Sequence, residues 1–199
     1  RPGHHVTASL YVPDGQGPFP GVLVPLGHSD DAKAYEVYQR ICILLARRGF
    51  AALTFDPIGQ GERRQFPEVE FGEYPSVFEH TLIGAASLMV GREVAHYFIW
   101  DAMRSLDYLA ERPEVDAKRL GCTGISGGGT QTSYLMALDD RIEAAAPGCW
   151  ITSFERLLPT RGVEDAEQHI TGQIAAGMNH GDFPSMHAPK PTLLLAAKK

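Results

Sequence analysis

The segment Gly124-Ile125-Ser126-Gly127-Gly128-Gly129 carries the strongest chemical signal in this sequence. It fits G-x-S-x-G, the nucleophile elbow, in which a sharp strand-to-helix turn lifts a serine hydroxyl out of the chain. The spacing has a steric reason. The positions two before and two after the serine must be tiny where the backbones cross, and Gly124 and Gly128 occupy them. Three glycines in a first helical turn cost about 1 kcal/mol each against alanine, so close backbone approach is expected there. Ser126 would stand at a helix N-terminus, where unpaired N–H groups favour a developing oxyanion. A phosphate loop fits poorly: no G-x-x-x-x-G-K-[ST] is present, and Gly121, Gly124 and Gly127 are spaced by threes rather than as G-x-G-x-x-G.

Two further segments bear on this serine. Leu26-Gly27-His28-Ser29-Asp30 follows an apolar run. In elbow-type sites such a loop gives one oxyanion N–H and the residue after the nucleophile gives the other, so His28 and Gly127 are the expected donors. Gly27, Ser29, Trp150, His180 and Asp182 are candidate pocket-lining residues. Asp56-Pro57-Ile58-Gly59-Gln60-Gly61-Glu62-Arg63 reads as a turn shaping the pocket edge. His4, His5, His80 and His96 stand at no useful metal-ligand spacing, so neither a metal nor an organic cofactor is expected.

The elements that must hold these residues alternate. Strands are predicted over 5–12, 21–26, 51–56, 119–125, 143–149 and 192–197, and helices over 35–48, 93–112, 127–138 and 165–178. Val94, Phe98, Ala102, Leu106 and Leu109 share one helix face. Residues 57–92 read as an excursion near the active site. Buried strands alternating with helices indicate an α/β fold around a mostly parallel sheet, with ligands beyond the carboxyl ends of the strands.

Composition sets the outer limits. The 199 residues carry a net charge of −6, which gives no electrostatic reason to seek nucleic acid or an anionic membrane. The apolar runs fall short of the ~18 residues of a membrane span. The three cysteines, Cys42, Cys122 and Cys149, lie in apolar stretches and are expected to be buried small hydrophobes.

With these residues in hand, the sequence resembles the acetyl xylan esterase-like branch of the α/β-hydrolase superfamily. The likeness rests on Gly59–Arg63, on Trp100–Asp116, on Gly121–Leu138, on Arg141–Ile151 and on Gly177-Met178-Asn179-His180-Gly181-Asp182-Phe183. It implies a three-layer α/β-hydrolase sandwich in one domain, 1–199. It also implies a serine carboxylic-ester hydrolase that deacetylates acylated carbohydrate through an acyl-enzyme, secreted or periplasmic in location.

The superfamily order is serine, acid, histidine. The resemblance places the acid just past the strand at 192–197 and the histidine after one further strand, beyond Lys199, so a C-terminal strand and helix are expected to be missing. An internal triad such as Ser126–Asp165–His180 satisfies the order formally. A prolyl-oligopeptidase-like or dienelactone-hydrolase-like hydrolase, and a catalytically silent fragment or binding module, are the competing readings. Substrate detail and oligomeric state are left open.

Overall fold

Every residue of Ala51–Phe55 (β3) is buried, as a strand covered on both faces requires. The computed structural model describes residues 3–72 and 74–197. β3 sits in a five-stranded sheet with β1 (Ala8–Tyr11), β2 (Phe19–Val24), β4 (Val115–Ile125) and β5 (Ile142–Gly148), in the order β1-β3-β2-β4-β5. β1 pairs antiparallel with β3, and the other pairs are parallel.

Alternation along the strands builds three layers. Leu23 and Leu53 point to one face, where they join Leu106 and Leu109 of α3 (Val94–Ala110) and Tyr134 and Leu135 of α4 (Gly127–Leu138). Val24 and Ala52 point to the other, against Cys42 of α1 (Glu36–Arg47). The predicted stripe Val94, Phe98, Ala102, Leu106 and Leu109 is buried throughout. On α1 the buried face is Tyr38 and Cys42 with Ile41 and Leu45 beside them, while Val37 and Leu44 are exposed.

From β2 the chain first moves to β3 on one side and then crosses to β4 on the other. The order therefore reverses between β2 and β4, and a crevice opens beyond the carboxyl ends of strands at such a reversal. The turns after β2 and β4 are those that carry His28 and Ser126.

The excursion 57–92 contains a 3₁₀ turn at Gly61–Arg63 and α2 (Pro75–Met89). Three expectations change. No helix spans 165–178. Instead a 3₁₀ turn covers Ala166–Gln168, and positive φ at Gly172 (81°) and Gly177 (78°) keeps the rest of that segment from continuing as a helix. Two short helices, α5 (Phe154–Thr160) and α6 (Asp182–His187), add to the predicted set. Cys149 is exposed, in contrast to Cys42 and Cys122, because it lies past the end of β5 with φ 55°.

The expected last strand is present as a partial ladder. Thr192 and Leu195 bridge in parallel to Ala145 and Gly148, with Leu193 N donating to Ala145 O at 2.9 Å and Leu195 N to Pro147 O at 3.1 Å. Leu193, Leu194 and Leu195 are exposed there. Among the described residues no helix is long and apolar enough to cross a membrane.

Candidate active site

β4 runs straight into α4 through one residue, Ser126, at φ 59° and ψ −124°. This is a sparsely populated conformation for a non-glycine residue, of the kind that survives only where surroundings over-determine it. Ser126 N donates to Gly148 O at 2.9 Å, and Ser126 O accepts from Thr130 N at 3.0 Å. The turn is thus tied to β5 and to its own helix. A Cβ on Gly124 would lie 2.5 Å from Pro25 O, and one on Gly128 would lie 2.3 Å from the same atom. The end of β2 therefore runs against the turn at glycine-only distance, the crossing that the spacing predicted.

The loop after β2 is held from the next strand. Gln60, 1% exposed, donates its Nε2 to Gly27 O at 3.0 Å and to Ser29 O at 3.2 Å. Nearby, Asp56 is fully buried and accepts from Thr7 Oγ1 (2.6 Å), Lys33 N (3.0 Å) and Lys33 Nζ (2.5 Å). Arg63 donates to Asp56 O at 3.0 Å and to Asp101 Oδ2 at 2.8 Å, and Asp101 also meets His4 Nε2 at 2.7 Å. The 56–63 stretch is a polar scaffold that fixes the loop 27–33.

The His28 side chain turns into a buried group. Its Nε2 lies 3.1 Å from Glu167 Oε1 and 3.1 Å from His80 Nδ1, and its Nδ1 lies 3.7 Å from Asp165 Oδ2. Burial alone would raise the Glu167 carboxyl, but the two imidazoles beside it, His28 and His80, outweigh that and hold the carboxyl below the usual range. Burial likewise opposes charge on His28, yet the Glu167 hydrogen bond and its negative charge raise the imidazole pKa. Asp165 is raised by burial and by the nearby Glu167 charge. This group adjoins the serine turn: a Cβ on Gly127 would sit 3.6 Å from Glu167 Oε1 and 3.8 Å from His28 Cε1.

The other candidate residues fall elsewhere. His180 is fully buried, so it does not line an open pocket. It stacks on Trp150 at 4.2 Å and sits 3.3 Å from Glu164 Oε2. Trp150 is itself 8% exposed within the main core and donates Nε1 to Glu164 Oε1 at 2.9 Å. Asp182 caps a turn by accepting from Asn179 N at 2.7 Å. Asp165 faces His28 while His180 faces Glu164, so the formal set Ser126–Asp165–His180 is not assembled. Sequence reasoning misses His80 and Glu167 as neighbours of His28, because 52 residues separate the two histidines and Glu167 falls in a segment that reads as a helix.

Comparison with known proteins places this geometry. YtaP of Bacillus subtilis (strain 168), a proposed hydrolase, is 26% identical over 206 residues, covering 97% of this chain and 65% of its own length. The methylesterase BT1017 superposes with a TM-score of 0.72 at 28% identity, over 98% of this chain and 39% of that one. A proposed acetyl xylan esterase from Bacteroides fragilis NCTC 9343 (BF1801) superposes with a TM-score of 0.78 at 18% identity, over 98% and 56%. The chain thus spans less than two thirds of the length of each, and its architecture is the α/β-hydrolase fold. Residues 1–174 match the family model for acetyl xylan esterase (AXE1), and the chain belongs to that family.

Proposed function

We propose that Ser126 is the nucleophile of a serine carboxylic-ester hydrolase that deacetylates acylated carbohydrate. The reading is carried by the backbone of Ser126, held at φ 59° and ψ −124° at the point where β4 becomes α4. Strain of this sort persists where function needs it. In the proposed reaction Ser126 Oγ attacks the ester carbonyl carbon, the carbon–oxygen bond to the sugar breaks, and water then releases acetate from the acyl-enzyme. The oxyanion is held by the N–H groups of Gly127 and His28. The Gln60 contact supports His28. In a trans peptide the C=O and the following N–H point in opposite directions, so tying Gly27 O to Gln60 turns the His28 N–H away from it.

This reading assigns the histidine base and its carboxylate to residues outside 1–199. Among the described residues no hydrogen bond to the Ser126 hydroxyl is formed. The direct test is labelling of the full-length protein by a fluorophosphonate probe. Labelling that Ser126→Ala abolishes is the expected result. No labelling, or labelling indifferent to that substitution, sinks the assignment. A second reading, hydrolysis of a methyl ester, is favoured by the 28% identity to a methylesterase; release of methanol rather than acetate would select it.

A further inference from the structure

His28, His80 and Glu167 reach one point from three elements: the loop after β2, helix α2 and the 3₁₀ turn Ala166–Gln168. Four atoms meet there, one nitrogen from each imidazole and both oxygens of the carboxylate. His28 Nε2 to His80 Nδ1, His28 Nε2 to Glu167 Oε1, and His80 Nδ1 to Glu167 Oε2 are each 3.1 Å. His80 and Glu167 are almost wholly buried, while His28 keeps an edge toward solvent.

One contact decides where the protons lie. His80 Nε2 is 2.9 Å from Ile58 O, an atom that only accepts, so Nε2 carries the hydrogen. A neutral His80 therefore has Nδ1 as an acceptor, 3.1 Å from both His28 Nε2 and Glu167 Oε2, and offers that carboxylate oxygen no hydrogen. Glu167 Oε2 is buried and receives no hydrogen bond. Buried acceptors without a donor are uncommon and costly. A positive centre among these atoms would satisfy all three side chains at once.

We propose that this cluster binds a divalent transition-metal ion, zinc foremost. Two imidazoles and one carboxylate form a known zinc ligand set that leaves a coordination position open. Bonds of about 2.0–2.1 Å in tetrahedral geometry place neighbouring donors roughly 3.3–3.4 Å apart, and the facing pairs here stand at 3.1 Å, with one donor atom from each residue within 4.8 Å of the others. Ligating histidines are normally oriented through their other nitrogen by a carbonyl or a carboxylate. Here His80 Nε2 faces Ile58 O, and His28 Nδ1 faces Asp165 Oδ2 at 3.7 Å. The exposed edge of His28 is the route by which an ion and an exchangeable ligand enter. The inference departs from the histidine-spacing expectation and stands independently of the role given to Ser126.

The test uses the full-length protein, stripped by a chelator and titrated with zinc against a chromophoric competitor, with cobalt(II) as the spectroscopic probe. The expected result is saturable binding of one ion per chain at micromolar or lower concentration, with visible cobalt bands. His80→Ala and Glu167→Gln should each weaken binding by about 100-fold or more, and Asp165→Asn by about 10-fold. Circular dichroism checks that each variant is folded; if Glu167→Gln unfolds, His28→Asn takes its place in the same ligand set. Absence of saturable zinc or cobalt binding by the wild-type protein overturns the site. So does binding that survives both His80→Ala and the Glu167 or His28 substitution.

Discussion

Two adjacent glycines offer a severe test of how the serine turn is built. A Cβ on Gly128 would fall 2.3 Å from Pro25 O, 3.0 Å from Pro25 C and 3.1 Å from Leu26 C. All three atoms are backbone at the end of a central strand, so no side chain can swing aside. The nearest lies about 1.1 Å inside the 3.4 Å at which ordinary contact begins, and closely packed interiors transmit rather than absorb such a shift. A Cβ on Gly127 meets nothing closer than Gly27 Cα at 3.5 Å. Its φ is not in the left-handed region, and alanine is the better helix former by about 1 kcal/mol. Gly128→Ala should therefore destabilise by about 3 kcal/mol or more, the upper range of overpacking. Gly127→Ala should stay within about 1 kcal/mol of wild type. Urea unfolding of the two variants in the full-length protein, followed by fluorescence, measures the difference. Equal destabilisation by the two substitutions would refute the close-approach account of the glycine run, whatever happened to activity.

Other consequences can be measured separately. Gln60→Glu replaces a donor to two carbonyls by a buried carboxylate and should cost about 2–4 kcal/mol at neutral pH. The folded-state pKa of the new carboxyl would be raised, so the variant should lose stability as pH rises through the unfolded value of about 4.3; a pH-independent deficit in urea titrations argues against this role for Gln60. Arg63→Met leaves the buried Asp101, 2% exposed, with His4 as its remaining ionisable partner and should cost about 3 kcal/mol, with much of it recovered by adding Asp101→Leu. Thermal unfolding of the single and double variants reads this out, and simple additivity contradicts it. Native alkylation followed by mass spectrometry should modify Cys149 alone, since burial pushes the Cys42 and Cys122 thiols up to about 12. Modification of Cys42 or Cys122 at a comparable rate at neutral pH would contradict that burial.

The elements legible in the sequence are those with a local cause. The five-residue stripe of α3 repeats at helical spacing and is buried as read. The glycines at 124 and 128 declare a close approach because no other role repays three glycines in one helical turn. The segment 165–178 misleads for a physical reason. Its apolar spacing suits a helix, but Glu167 and Gln168 turn inward, where Gln168 Nε2 donates to Thr130 Oγ1 at 3.1 Å and Glu167 meets the two imidazoles. Long-range pairing overrides local propensity there. The His28–His80–Glu167 group is illegible for the same reason, since each member comes from a different element and no local spacing connects them.

The half-paired segment 192–195 has a practical consequence for handling residues 1–199 in solution. Its outer edge offers backbone donors and acceptors, and the three leucines beside them face solvent. An apolar strand edge is a template on which another chain can add. The chain should therefore be sticky in proportion to its concentration, with light scattering that rises in salt as charge repulsion from the −6 net charge is screened. Leu194→Lys should act as a gatekeeper and keep the chain dispersed.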